Sequence, residues 1–374
     1  MTSTTISQRL ATKSNNFDLL RVIAACLVIY AHSFALTGAP VNSDWARVFD
    51  SDWGTMGVDI FFVISGFLIT ASWFSRKDPR AFLASRSLRI FPGLIVVIVA
   101  SAFILGPLVT TLPVGSYLRS GETYHYLENI TLYGVNYLLP GVFAHNPNNG
   151  VNGSLWTLEY EFSCYMIVLF LGTMGWLDVW SIGGLFLVSL CVTSVKEGNG
   201  HLIFTLADFN LAEMSLYFFA GSLVYFIRDH LPLDGRLALA ACIGPLMTIG
   251  FGGVPDAAFV ACLTYVVMYV AFAPWLHVDL HRIGDLSYGL YIWAYPVQQT
   301  IEWGYHRAIS PMHMFALSLP ISLALAAMSW HLVEKHCLRL KRRFDGPVQP
   351  RALIDKRDRA GAARGARTLV AEGR

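Results

Sequence analysis

Charge is scarce in this chain. Asp, Glu, Lys and Arg make up only 14% of 374 residues, against 55% hydrophobic, and the mean hydropathy is +0.50. A soluble domain has neither so much apolar surface to hide nor so little charge to face water, so a soluble fold is excluded. Paired cysteine spacing is also missing: Cys26, Cys164, Cys191, Cys242, Cys262 and Cys337 fall in or beside apolar runs. They read as small core residues, and neither a disulfide nor a metal site is expected. No cleavable leader precedes the first apolar run, so that run is expected to stay in the mature protein. No internal repeat is evident, and nothing in the charge pattern suggests nucleic acid.

The apolar residues are gathered into windows of roughly 17 to 25 residues, the length a helix needs to cross about 30 Å of hydrocarbon. Ten windows qualify: residues 17–37, 55–75, 90–112, 154–176, 179–195, 202–227, 237–253, 256–275, 285–303 and 312–334. The expected fold is therefore all-α, a polytopic transmembrane bundle of about ten helices. Placing both termini in the cytoplasm puts 22 basic residues inside and 4 outside, with Arg21 in the first helix. The positive-inside rule selects that orientation. The chain divides into a cytoplasmic N-tail (1–16), a transmembrane domain (17–343) and a Pro-, Arg-, Ala- and Gly-rich tail (344–374). The tail buries too little to offset its ordering entropy and is expected to be disordered on the cytoplasmic face. A long outer loop, 112–151, is apolar and aromatic over 126–142 and is expected to lie in the interface or re-enter the domain, where it could cover a site.

Ionisable groups inside spanning helices are costly, which makes each one a functional candidate. The first helix reads FDLLRVIAACLVIYAH. Asp18, Arg21 and His32 share one face, with Arg21 and His32 about 16.5 Å apart along the axis. Snorkelling explains Arg21 alone and an interhelical hydrogen bond explains His32 alone, but the shared stripe looks like the wall of a pore. Arg86 and Arg89, in RKDPRAFLASRSLRIFPG, stand at i, i+3, and guanidinium grips phosphate bidentately; positive-inside charge is the plainer reading. In NGSLWTLEYEFSCY, Glu159 and Glu161 point about 200° apart, so at most one is expected to face a site. GDLSYGLYIWAYPVQQ carries Asp285, Ser287, Tyr288, Tyr291, Trp293, Tyr295 and Gln298, a pattern that also suits aromatic packing. Asp59 and Glu334 are further acids, for which partnering with Arg or His elsewhere is the plainer reading.

Six segments in order, FDLLRVIAACLVIYAH, GVDIFFVISGFLIT, RSLRIFPG, NGSLWTLEYEF, LSYGLYIWAYPVQQ and SWHLVEK, resemble acyltransferase family 3, integral-membrane acyltransferases whose bacterial members modify surface glycans. The resemblance implies transfer of an acyl group, most often acetyl, from cytoplasmic acyl-CoA to a hydroxyl of a surface, lipid-linked or secreted glycan. The family's Arg and His fall on Arg21 and His32, and its paired arginines, taken to meet coenzyme A phosphates, on Arg86 and Arg89. Its Trp-Ser/Thr-Leu-x-x-Glu element falls on Trp156, Thr157, Leu158 and Glu161. By that resemblance His32, Glu161 and Arg21 are expected to be catalytic, and Arg86, Arg89 and Arg21 to hold the donor. Asp18, Asp59, Asn152, Ser154, Trp156, Glu159, Tyr288 and Tyr291 are expected to bind the acceptor or support the site. Ala294 stands where many relatives carry His, so no second imidazole is expected on that helix. The implied partners are acyl-CoA, a glycan or glycolipid acceptor, the lipid bilayer of a cell inner membrane and polysaccharide-biosynthesis machinery, with no tightly bound cofactor. A transporter or flippase for a lipid-linked glycan, or an assembly subunit of an export complex, would also need a polar membrane interior.

Overall fold

A computed structural model describes residues 4–12, 15–40, 52–197, 208–247, 256–273, 275–276 and 284–344. The expected disordered tail lies, from residue 345 on, outside the described residues, as do the start of the sixth apolar window and the turn between the seventh and eighth. The described residues are all-α, with no strand among them.

The longer helices are α1 (Phe17–Thr37), α2 (Trp53–Arg76), α3 (Pro79–Ala100), α4 (Trp156–Met174), α5 (Val179–Glu197), α6 (Phe209–Ile227), α7 (Gly235–Met247), α8 (Asp256–Ala271), α9 (Ser287–Tyr305) and α10 (Pro311–Ser329). Five are long and apolar enough to cross a bilayer: α1, α2, α3 with its continuation to Val109, α6, and α10 with its continuation to Arg339. Helix α3 begins eleven residues before the expected window. Asp78 caps it by accepting from the Arg80 and Ala81 amides (2.9 and 3.4 Å), and Pro79 fits the first turn, where its missing N–H costs nothing. A hydropathy window misses that start because the first turns carry Arg80, Arg86 and Arg89. Both arginines of the pair are consequently held well inside a helix.

Close packing decides which faces meet. A Cβ added to Gly66 of α2 would lie 1.8 Å from the Phe218 carbonyl oxygen of α6, and one on Gly221 of α6 would lie 2.0 Å from that of Val63. Between helices in lipid, such small residues admit the backbone contact that hydrophobicity cannot enforce. Ser222 seals this crossing by donating to Gly66 O (3.1 Å) and accepting from Thr70 Oγ1 (3.1 Å).

The 112–151 loop does fold back on the bundle. Three short helical turns, Val114–Arg119, Gly121–His125 and Tyr126–Thr131, carry buried Tyr117 and Tyr126 into the main core, where Leu139, Val142, Phe143 and Val151 join them. The Tyr117 hydroxyl donates to Ala102 O (2.7 Å), inside the π-turn Ser101–Leu105 that extends α3. A π-turn disturbs the regular backbone ladder, and a side-chain donor at a carbonyl there helps to satisfy it.

Candidate functional site

Helices α1, α2, α3, α4 and α9 enclose a cavity with about 680 Å³ of space between its walls. Three guanidiniums line one end: Arg21 from α1, and Arg86 and Arg89 from successive turns of α3. Glu161 and Tyr165 enter from α4, Ser65 from α2, and Tyr288 and Tyr291 from α9.

Asp285, just ahead of α9, ties the arginines together. Its Oδ2 lies 2.5 Å from Arg89 Nη2 and 3.7 Å from Arg21 Nη1, while Oδ1 accepts from Ser287 Oγ (2.7 Å). Arg21 is also 3.6 Å from Asp18, one turn earlier on α1. The Arg89 guanidinium lies over the Tyr288 ring at 5.6 Å, and the Tyr288 hydroxyl donates to Ile90 O (2.8 Å). Arg86 is held differently: Nη2 donates to Ser85 Oγ (3.1 Å), and its buried Nε has no hydrogen-bond partner. A buried N–H donor on a cation is costly to leave unmet, and an anion entering the cavity would meet it.

Glu161 accepts from Ser65 Oγ (3.1 Å) and from the Tyr165 hydroxyl, so its carboxylate is fixed in the cavity wall. Glu159 turns away and accepts from the Gly134 amide (3.1 Å), anchoring the re-entrant loop. Thr157 and Tyr291 share a 2.7 Å hydrogen bond that joins α4 to α9 at the end of the cavity away from the arginines.

His32 is not among the cavity's walls. Its ring packs edge to face on Tyr295 at 5.0 Å, one helical turn beyond Tyr291, and its Nδ1 is buried with no hydrogen-bond partner. The stripe from Arg21 to His32 therefore reaches the cavity only at its arginine end, because Tyr295 and Gln298 of α9, the latter donating to Ile29 O and Ser33 Oγ (2.8 Å each), fill the space beside the second half of α1. Asn152 donates to Ile292 O (2.9 Å) and accepts from the Ser154 amide (3.1 Å), pinning the Asn-Gly-Ser turn to α9. Ser154 is buried, Trp156 packs on Tyr160 at 5.8 Å, and neither reaches the cavity.

Asp59 does not follow the plainer reading of a pairing with Arg or His. It is 1% exposed and faces Glu213 and Tyr217 of α6, since it sits about 100° around α2 from the cavity-lining Val58. Glu334 accepts from Ser329 Oγ (2.7 Å) and packs near Gly93 and Tyr288, beside the arginine end. Three members of the site were not singled out from sequence. Tyr165 carries a usable signal, standing four residues after Glu161 on the same helical face. Ser85, four residues before Arg89, carries the same kind of signal, whereas Ser65 carries none, because only the packing of neighbouring side chains brings it in. Among the described residues, no group of three or more His, Cys, Asp or Glu side chains is arranged to hold a metal ion.

The sequence of this bundle, with its membrane-length apolar helices, places it in a known class, the membrane acyltransferases. A family model described as an acyltransferase domain matches residues 14–331, and the chain belongs to acyltransferase family 3. It is 30% identical to nodulation protein 10 of Rhizobium leguminosarum bv. viciae, over 87% of this chain and 94% of that protein. It is 27% identical to an O-acetyl transferase of Shigella phage Sf6, over 87% and 96%. It is 25% identical to the exopolysaccharide production protein ExoZ of Rhizobium meliloti (strain 1021), over 76% and 90%. No solved structure matches the chain.

Proposed function

We propose that this membrane acyltransferase takes an acyl group, most often acetyl, from cytoplasmic acyl-CoA and places it on a hydroxyl of a surface, lipid-linked or secreted glycan. In this reading the chain crosses the inner membrane ten times with both ends in the cytoplasm, as the excess of basic residues on that side favours. The observation that carries the reading is the cavity itself: three guanidiniums from two helices converge beside a fixed carboxylate inside an apolar bundle. Three partly buried guanidiniums, two of them bridged by Asp285 and one also beside Asp18, suit an anion, and coenzyme A brings phosphates. The names of the phage and exopolysaccharide relatives supply the acetyl group and the glycan.

The transfer forms a bond from the acceptor oxygen to the thioester carbonyl carbon and breaks the carbon–sulfur bond. In this reading the acceptor reaches past Tyr291 to His32, which lies outside the cavity walls against Tyr295; the imidazole takes the hydroxyl proton as the oxygen attacks and returns it to the departing thiolate, which leaves as free coenzyme A. Arg86, Arg89 and Arg21 hold the donor phosphates at one end. Glu161 binds the acceptor from the cavity wall, with Ser65 and Tyr165 keeping the carboxylate in place. Mass spectrometry of surface and secreted glycans from cells with and without the gene tests the reading. Loss of one acetyl increment, restored by the wild-type gene but not by His32→Ala expressed at the same level, is the expected result. An unchanged glycan profile in the deletion strain would remove the proposal.

A further inference from the structure

A second cavity, with about 340 Å³ between its walls, opens at the turn joining α2 to α3. Arg76, Lys77 and Lys341 line it together with the hydroxyls of Ser72, Ser75 and Ser85. Asp78 is its one carboxylate, and Oδ1 of that side chain already accepts the Arg80 and Ala81 amides that begin α3. Three cations beside one acid, with the Ser72 and Ser85 hydroxyls and with Ser75 Oγ donating to Ser72 O (2.7 Å), suit a small dianion. Lys341 comes from the 3-10 turn Leu340–Arg343, so the far end of the described chain completes a wall begun by residues 72–85.

This cavity adjoins the first one along a single face of α3. Phe82 and Ser85 line the second cavity, Arg86 and Arg89 the first, and all four fall at i, i+3, i+4 and i+7. The join is a hydrogen bond, Arg86 Nη2 to Ser85 Oγ at 3.1 Å. From Phe82 to Arg89 the helix rises about 10 Å. Coenzyme A carries phosphate at two places, a diphosphate next to the pantetheine arm and a phosphomonoester on the ribose 3′ oxygen. With the diphosphate on Arg86 and Arg89, the phosphomonoester comes one ribose further toward the start of α3.

We propose that the cavity formed by Arg76, Lys77, Ser85 and Lys341 binds the ribose 3′-phosphate of the donor, so that the enzyme distinguishes coenzyme A from its 3′-dephospho form. The inference rests on the acyl-CoA reading above and adds to it a second phosphate site. A lipid headgroup phosphate shares this chemistry, and the test separates the two. The full chain is placed in phosphatidylcholine nanodiscs, and Kd is measured by calorimetry for coenzyme A and for 3′-dephospho-coenzyme A. The expected preference for coenzyme A is about tenfold, the worth of one charge-assisted hydrogen bond. Lys341→Ala with Lys77→Ala brings the ratio close to one by weakening only coenzyme A. Unchanged affinity for the dephospho form shows that the variant is folded, and Lys341→Arg retains the preference. In discs containing phosphatidylglycerol the ratio is expected to persist.

Equal affinity of the wild type for both ligands in phosphatidylcholine overturns the second site while leaving the acyl-CoA reading intact. Binding of neither ligand overturns both. A ratio that falls to one when phosphatidylglycerol is added assigns the cavity to a lipid headgroup and also overturns the proposal.

Discussion

Asp285 bridges two of the guanidiniums to which the proposed function gives the donor phosphates, and this gives a prediction with two opposite signs. Its carboxylate lies 2.5 Å from Arg89 and 3.7 Å from Arg21, with these side chains about a fifth exposed. Asp285→Asn leaves both guanidiniums without their shared counter-ion. Breaking a buried pair from one side costs about 3–5 kcal/mol, and the residual exposure and the retained Ser287 hydrogen bond argue for about 3. At about 2–4 °C per kcal/mol the melting temperature falls by about 6–12 °C. Coenzyme A binding moves the other way, because the cation cluster no longer has an internal competitor. A tenfold tighter Kd returns about 1.4 kcal/mol at saturating ligand. Thermal unfolding of the detergent-purified protein, with and without coenzyme A, reads both effects. A variant as stable as the wild type, or one that coenzyme A stabilises no more than the wild type, would refute the account of Asp285 as the clamp between the arginines.

Tyr165→Phe removes one of the two hydroxyls that hold Glu161; kcat is expected to fall about tenfold to a hundredfold with KM for acyl-CoA unchanged, and an unaltered kcat would exclude Tyr165 as the group that positions Glu161. Glu159→Ala loses only the contact to Gly134, so in vitro transfer is expected to stay within about twofold while the re-entrant loop becomes more sensitive to proteolysis. Gly66→Ala places a methyl 1.8 Å from the Phe218 carbonyl oxygen; forcing α2 and α6 apart is expected to cost about 1–3 kcal/mol, read as a lower melting temperature, whereas Gly183→Ala, with open space around it, leaves stability unchanged.

Several parts of the site are visible in local sequence because a helix has a fixed period. Arg86 and Arg89 at i, i+3 had to share a face, and Glu159 and Glu161 at i, i+2 could not. The start of α3 was less visible, since a hydropathy window counts arginines against a helix while Asp78 and Pro79 promote one. The pairing of Asp59 was not visible at all: its position on α2 fixes a direction, but only the arrival of α6 determines that Glu213 and Tyr217 meet it there.

By itself the sequence determined that the chain enters a membrane and that six segments follow the pattern of acyltransferase family 3. These are properties of composition and of single helices, which follow from hydrophobic transfer and from 3.6 residues per turn. Tertiary structure alone decided that Arg21, Arg86 and Arg89 converge on Asp285, that Ser65 and Tyr165 fix Glu161, and that His32 rests on Tyr295 outside the cavity walls. The physical reason lies in the solvent. Lipid does not sort one apolar helix face from another, so the choice of neighbours falls to close backbone approach at residues such as Gly66 and Gly221 and to a few polar contacts between segments far apart in the chain.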